Sequence, residues 1–585
     1  MTRHSIVRLS AVPLLVCGFA HVGRGAESAL PFDPPAIDPP TLHCIGVQWS
    51  VESRRASNAT VKVEYRRTAD AAWRRGLDLF RVFMPATYGI KTAPGAQLFA
   101  GSLFDLQEDT PYQVRLTFEQ PDRVVTTRLI EAQTWKEPQP PPPRRVRHVS
   151  SASRHGPGTE SQPFATVLEA DQAAQPGDLI LVHKGIYPGP IRFTRSGTDA
   201  APIVWRGAGD GEAVFEGPEN GCCVRADGLT HVFFEDLAFR KTDRAMTLNE
   251  SSFVTVRRCR LYDLNSGIFA AGRQERLFIA DCEIKGRRTW PRQPTDDKMG
   301  EHRGIEVSGV GHVIAYNRVS GFRDGIDTRP AFPVRGIDIH NNDISECTDD
   351  AIELDYSQSN CRAYRNRFSN CFMGVSFQPS LGGPNYAVRN VMYNIVLETY
   401  KLHVSPPGVI TAGGVLLHNT VVKKDVPFRV WASGTPVRAF YMRNNLYVAG
   451  GAQRAIDMLV DEGLSEMDYD VYAGGPYEIF GKWHGVPYPE LAAFTRATGL
   501  ESHGQLIRRA TGIFAAPIAA PTDSAKAYPA GTQDLRLSDG GPAVDAGVAL
   551  PNINDGYHGK TPDAGAYELG EDLPQYGPRV EGKGL

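Results

Sequence analysis

A corner residue recurs along the middle of this chain at intervals of roughly 21 to 28 residues, the period of one coil of a solenoid. The marked positions are Cys259, Cys282, Asn317, Asn342, Asn366, Asn394, Asn419 and Asn445, each followed by a segment of alternating apolar and polar residues. An asparagine stacked on its counterpart in the next coil can bond both that amide and the turning backbone, which satisfies polar groups that are costly to bury. One such coil cannot bury its own apolar face. Coil must therefore pile on coil, and the expected fold is an all-β solenoid of parallel strands.

One strand of each coil can be aligned: Met246-Thr247-Leu248-Asn249, Ile268-Phe269-Ala270-Ala271, Ile305-Glu306-Val307-Ser308, Ile326-Asp327-Thr328-Arg329, Ile352-Glu353-Leu354-Asp355, Val375-Ser376-Phe377-Gln378 and Leu402-His403-Val404-Ser405. The first and third positions are mostly apolar, so by period-two alternation they face inward and the second and fourth face solvent. One outward column is then Thr247, Phe269, Glu306, Asp327, Glu353, Ser376, His403; the other is Asn249, Ala271, Ser308, Arg329, Asp355, Gln378, Ser405. Neighbouring rungs lie about 5 Å apart. Glu306, Asp327 and Glu353 thus stand side by side, and like charges that close are mutually destabilising. Relief requires a protonated carboxyl, a bound cation, or the charges of Arg329 and His403. Cys259/Cys282 and Cys347/Cys371 also fall on neighbouring rungs, at a spacing open both to bridging and to stacked buried thiols.

The flanking regions have different patterns. Residues 1–26 place Arg3, His4 and Arg8 before an apolar run from Leu9 to Ala20 and small residues at Gly25-Ala26, the pattern of an export signal. A secreted or periplasmic protein is expected; lipid anchoring at Cys17 is disfavoured by Val16 just before it. Residues 37–137 carry short alternating runs such as Val61-Lys62-Val63-Glu64-Tyr65, a small β-sandwich, and residues 138–147 a proline-rich linker. Residues 148–455 form the solenoid and residues 456–585 a Gly/Pro-rich continuation and capping segment. With 22% charged residues and a formal net charge of -3, the chain has no basic field for nucleic acid. No later apolar run reaches the roughly 18 residues of a membrane span. Oligomeric state is not legible.

Some segments resemble known families. Leu106-x-x-x-Thr110-x-Tyr112-x-Val114, with Trp49 and Tyr65 earlier, resembles a fibronectin type III domain, which implies a spacer or docking module with Trp49 and Tyr112 as core and corner residues. The helical pattern from Pro163 to Gln175, followed by Asp178-Leu179-Ile180-Leu181-Val182 and Gly185-Ile186-Tyr187, resembles the N-terminal cap and first coil of secreted, pectin-lyase-like proteins. The fold implied is a right-handed parallel β-helix, and the implied ligand is polysaccharide. Gly541-Pro542-Ala543-Val544-Asp545-Ala546-Gly547 and Pro562-Asp563-Ala564-Gly565-Ala566-Tyr567-Glu568 resemble the C-terminal segment of such proteins, expected to cap the open end with Asp545 and Asp563 in structural roles.

Three functional readings follow. In the leading one a polysaccharide is hydrolysed in a groove on the β-helix by Glu306, Asp327 and Glu353 as acid and base or nucleophile, with no cofactor required. Asp324-Gly325-Ile326-Asp327 and Asp349-Asp350-Ala351-Ile352 resemble the paired-aspartate segments of polygalacturonase-type hydrolases, which implies Asp327, Asp349 and Asp350 as the active carboxylates; the Gly-His-Gly and Arg-Ile-Lys segments of that family are not found downstream. In the second, Ca²⁺ held by Glu306, Asp327, Glu353 and Asp355 supports β-elimination or epimerisation on a uronic-acid polymer, with Arg329 as base and His403 or Lys401 behind it. Arg329-Pro330-Ala331-Phe332-Pro333-Val334-Arg335-Gly336 loosely resembles the arginine-proline segment of pectate lyases. The third reading is a glycan-binding or adhesin solenoid without catalysis. Substrate contacts are expected from Trp290, Arg303, Asp355, Gln378, Lys401 and His403, with loops at Arg287–Arg303 and Gln378–Tyr386 walling the groove.

Overall fold

The computed structural model describes residues 34–52, 58–83, 96–121, 123–331, 333–402, 410–430, 437–459, 461 and 463–580. The export-signal segment, Cys17 and His403 lie outside the described residues. The body of the chain is a right-handed parallel β-helix of about 12 coils. One wall is a 14-stranded parallel sheet running from Arg145–Val149 to Glu466–Asp468, and the other is an 18-stranded sheet running from Gly185–Pro188 to Gln505–Ile507. Each coil gives the larger sheet two limbs: the strands Arg318–Ser320 and Asp324–Thr328 both pair with the single long strand Asp343–Glu353 of the next coil.

The corner between the two sheets explains the repeat. Just before each ladder asparagine, Tyr316, Asn341, Arg365, Arg389, His418 and Asn444 take positive φ values between 51° and 60°. That left-handed conformation is unfavourable for non-glycine residues and must be held by its surroundings. The ladder holds it. Asn342 Nδ2 donates to Asn366 Oδ1 at 3.0 Å and to the Ile314 carbonyl at 2.9 Å, while Asn342 Oδ1 accepts from the Asn317 backbone N–H at 2.9 Å. The pattern continues through Asn366, Asn390, Asn419 and Asn445 to Asp470. Asn390, rather than the expected Asn394, is therefore the ladder member of its coil. Asn394 instead donates to Asn370 Oδ1 and to the carbonyls of Ser524 and Lys526. Cys282 sits in the same column, with its backbone N–H bonded to Asn317 Oδ1 at 3.0 Å. Cys347 and Cys371 pair in register, and these two cysteines, like Cys259 and Cys282, are buried free thiols.

Residues 34–133 form a sandwich of two four-stranded antiparallel sheets. The first holds Ala36–Ile37, Ile45–Glu52, Ala96–Leu103 and Phe80–Arg81; the second holds Arg74–Arg75, Thr60–Arg67, Pro111–Gln120 and Arg123–Gln133. Trp49 is fully buried between them, and Tyr112 accepts the Gln107 backbone N–H on its hydroxyl at 2.9 Å. The sandwich is bonded directly to the β-helix as well as through its linker. Arg362, on the β-helix, pairs with Asp338 and donates to Ser102 Oγ at 3.0 Å, while Asp338 accepts from Thr41 Oγ1 at 2.5 Å. Phe104 packs edge-on against Tyr364 and Tyr386. The linker is pinned too, with the Pro138 carbonyl accepting from Arg257 at 3.0 Å and Glu137 paired to Arg579 at 2.8 Å.

Strand pairing continues past residue 455 as far as Gln505–Ile507, and the helix Leu491–Thr498 closes that end by burying Phe494 against Phe480 and Trp483. The later tail takes a different place from the cap expected of it. Its residues Ile513, Phe514, Leu535, Leu537 and Ala543 pack along the outside of the wall on Val391, Val422, Leu446 and Val471. Within it, Asp563 accepts the backbone N–H groups of Asp545 and Leu569, and Asp545 those of Lys560 and Thr561.

Two predictions follow from this packing. Asn366→Ala leaves buried partners in two neighbouring coils unsatisfied and should lower unfolding stability by about 3 kcal/mol in chemical denaturation. His312 is buried, its Nδ1 accepting from Leu277 N–H at 3.0 Å and its Nε2 facing the Ser308 carbonyl, and burial pushes its pKa down from 6.5 to about 4. Between those two values the unfolded chain binds the extra proton, so this contribution to stability is present above 6.5 and is lost as pH falls toward 4. His312→Gln should flatten the melting-temperature profile across that window; an unchanged acid slope would refute the assignment.

Candidate active site

The site is built on the outward column of the larger sheet. Register pairs Phe269 with Glu306, Glu306 with Asp327, Asp327 with Glu353, Glu353 with Ser376, and Ser376 with Lys401. Ile305, Val307, Ile326 and Ile352 alternate with these residues and lie wholly in the core. The next rung after Ser376 is thus Lys401, where Leu402-His403 alignment had placed His403. The shift is two residues, which preserves the facing of the strand and so is invisible to an alternation pattern.

A second line of polar residues starts each limb at the bend of the coil. Arg303 pairs in register with Asp324, and Asp350 donates its backbone N–H to Asp324 Oδ1 at 3.2 Å. Side-chain oxygens of Asp324, Asp349 and Asp350 lie within 4.8 Å of one another. Although they face away from the apolar core, the acids are covered: Asp350 is 0% exposed, Asp324 1%, Asp327 3% and Glu353 7%.

Cations thread this cluster. Arg303 contacts Asp327 and reaches Asp324 at 3.6 Å and Glu353 at 3.7 Å. Lys401 Nζ donates to Asp350 Oδ2 at 2.7 Å and lies 3.9 Å from Glu353. Arg323 and Arg292 flank Asp349 at 3.1 and 3.7 Å, and Arg329 holds Glu306 at 2.5 Å. Carboxylates still outnumber these cations. Burial, then repulsion from Glu353, raises the pKa of Asp324 and of Asp327 well above the carboxylate range; burial does the same for Asp350 against the pull of Lys401. Asp355 is raised to about 7, chiefly by burial, while it accepts Ser376 Oγ at 2.6 Å and the Gln378 backbone N–H at 2.7 Å. Burial disfavours the charge on Lys401, but Asp350, Asp349 and Glu353 outweigh it and hold the ammonium well above its usual pKa.

Of the residues named from sequence, Glu306, Asp327, Asp350, Glu353, Asp355, Arg303, Arg329 and Lys401 therefore gather on one face. Gln378 joins through its backbone. Trp290 stands apart, in a cavity of about 310 Å³ lined also by Arg292, Asp297, Phe372, Val396 and Ser524. Arg329, read as a base, is committed elsewhere: its guanidinium pairs with Glu306 and lies 4.8 Å from the Phe269 ring centroid. The calcium set read from sequence also shifts, because the converging carboxylates are Asp324, Asp349 and Asp350 rather than Glu306, Asp327, Glu353 and Asp355. Arg323 was missed. Its neighbours carried the only signal, the Asp324 and Asp349-Asp350 segments that recur one coil apart.

No protein-family model matches the chain, and no curated protein is found similar to it. Among solved structures, pectate lyase Pel9A is similar over 73% of this chain and 97% of its own, at 17% identity and a TM-score of 0.41. XylC in complex with xylose is similar over 63% and 86%, at 12% identity and a TM-score of 0.43. An alginate lyase from Paenibacillus sp. str. FPU-7 is similar over 55% and 99%, at 17% identity and a TM-score of 0.33. None of these likenesses carries chemistry to this chain.

Removing Arg303 leaves several buried carboxylates uncompensated. Arg303→Leu should cost about 3 kcal/mol of stability near neutral pH, and less in acid, where the carboxyls take up protons; a loss independent of pH would show that Arg303 acts by packing alone.

Proposed function

We propose that this protein is an exported polysaccharide lyase acting on a uronic-acid polymer, with Lys401 as the base. The observation that carries this reading is the pairing of one buried amine with a carboxylate trio that is incompletely satisfied. Lys401 Nζ holds Asp350 Oδ2 at 2.7 Å, while the other oxygen of Asp350 is buried without a hydrogen-bond partner. An orphaned carboxylate oxygen inside a group of converging carboxylates fits a hard divalent cation. Bound by Asp324, Asp349 and Asp350, Ca²⁺ would acidify the proton beside a uronate carboxylate and offset the negative charge that now keeps Lys401 protonated.

The remaining steps belong to the chain's own groups. As the free amine, its own proton given up to solvent, Lys401 takes the proton α to the carboxylate, the electron pair forms the ring double bond, and the bond to the glycosidic oxygen breaks as that oxygen takes a proton from water. Arg303 and Arg329 hold the acids of the wall in place through their ion pairs with Asp327 and Glu306, and Lys401 is the amine proposed to act once a bound cation offsets the acids around it. Gln378, bonded through its backbone to Asp355, and the Trp290 loop, whose Arg292 reaches Asp349, are proposed to contact sugar. A hydrolase reading draws on one observation, the side-by-side register of Glu306, Asp327 and Glu353. Its weakness is Arg303, which bridges the last two acids across the space an attacking water would need. The sandwich is proposed to be of fibronectin type III kind, on the strength of its strand order and the Tyr112 corner.

The test is a panel of polygalacturonate, alginate and neutral glycans with ultraviolet detection of unsaturated products. Wild type should release them from a uronan and stop with chelator, and Lys401→Ala should lower turnover by about a thousandfold. Ca²⁺ should raise the melting temperature of wild type but not of Asp350→Asn. Cleavage without ultraviolet absorbance, indifferent to chelator, would favour hydrolysis and sink the lyase reading.

A further inference from the structure

The acidic centre occupies only part of its column. Followed toward the N-terminus, register carries Glu306 back to Phe269, Thr247, Arg225 and Arg192, one rung at a time. Arg225 is exposed between the core residues Val224 and Ala226, and Arg192 is exposed between Ile191 and the core residue Phe193, so both side chains stand on the outer surface of the same sheet. From the neighbouring line Arg244 lays its guanidinium 4.3 Å from the Phe269 ring centroid, beside Arg329 at 4.8 Å. Phe269 thereby positions two cations at the border between the acidic centre and the earlier coils.

Arg192, Arg225 and Arg244 have no carboxylate partner among the described residues, and Arg244 Nε is buried without a hydrogen-bond partner. Other arginines of these coils behave differently. Arg206 and Arg257 hold Glu235, Arg240 holds Glu216, Arg260 holds Glu212 and Arg287 holds Glu219. Arg192 and Arg225 lie on the line that runs into the carboxylate cluster, with Arg244 beside it; of the remaining arginines on these coils, Arg195 donates to the Gln172 carbonyl and, like Arg273, has no carboxylate partner among the described residues. Guanidinium is the side chain suited to planar, bidentate recognition of a carboxylate. Successive rungs lie about 4.8 Å apart, close to the length of one sugar ring in a polymer running along the helix axis.

We propose that Arg192, Arg225 and Arg244 form an anion-binding track that takes uronate carboxylates of the substrate chain on the N-terminal side of the catalytic centre. Arg192 is four rungs from Glu306, about 19 Å, so the track engages a polymer rather than a single sugar. The identification of the polymer as substrate rests on the lyase reading; the binding of acidic glycan by this line of arginines does not, and is measured separately.

The experiment is affinity electrophoresis of the full chain through gels containing polygalacturonate, alginate, carboxylate-free carrageenan or dextran, with chelator present to suppress turnover. Wild type should be retarded by a uronan and not by dextran, and retardation should fall with added salt. The Arg192→Ala/Arg225→Ala/Arg244→Ala variant, checked for native near-ultraviolet circular dichroism, should lose about tenfold in affinity, equivalent to about 1.4 kcal/mol. Arg260→Ala, a charge loss on the other limb of the same sheet, away from the track, should migrate as wild type does. Undiminished retardation of the triple variant, equal retardation by dextran, or retardation by carrageenan alone would each overturn the proposal. Retardation that depends on the three arginines in a protein releasing no unsaturated product from any uronan would refute the lyase assignment and leave the track standing.

Discussion

Parallel strands in register, one coil above the next at about 4.8 Å, are the constraint on which the rest of the molecule depends. The register is held at the corner, where a residue of positive φ turns each coil and the following asparagine bonds its own coil and the next. Because every asparagine satisfies groups in two coils, a slip at one rung would orphan buried polar atoms in its neighbours. This makes the stack stiff along its axis, and a stiff stack can hold like charges at spacings that a flexible scaffold would relax.

The charge cluster uses that stiffness. Asp324, Asp327, Asp350 and Glu353 are drawn together by strand pairing and not by mutual attraction, and Arg303 and Lys401 compensate them only in part. Loop residues such as Arg292, reaching in from the Arg287–Arg303 insertion, help to exclude water, which strengthens every pairwise interaction inside. The site is consequently a place where protonation is decided by neighbours. Lys401 stays charged because of the acids around it, and any change in their charge is felt at its nitrogen.

The sandwich and the tail contribute to the same rigidity from outside. Arg362 and Asp338, buried at the joint with the sandwich, satisfy each other and also engage Ser102 and Thr41, so the N-terminal unit is bonded to the wall opposite the acidic centre. The tail packs on the larger sheet at Val391, Val422, Leu446 and Val471 and returns to Asp281 and Glu137 through Arg579. The column leading from Glu306 through Phe269 and Thr247 to Arg225 and Arg192 continues along the larger sheet in unbroken register.

Period and alternation were enough to determine the β-helix, the facing of its strands and the adjacency of Glu306, Asp327 and Glu353, because these follow from residue spacing along a single coil. Asn390 in place of Asn394, and Lys401 in place of His403, escaped that reading for one reason: coil length varies, and a shift that keeps the pattern of facing changes no local signal. The convergence of Asp324, Asp349 and Asp350 and the capture of Arg329 by Glu306 were decided only in three dimensions. They arise where strands bend at the coil corner and where side chains from different coils meet, and linear spacing does not encode the angle of that bend.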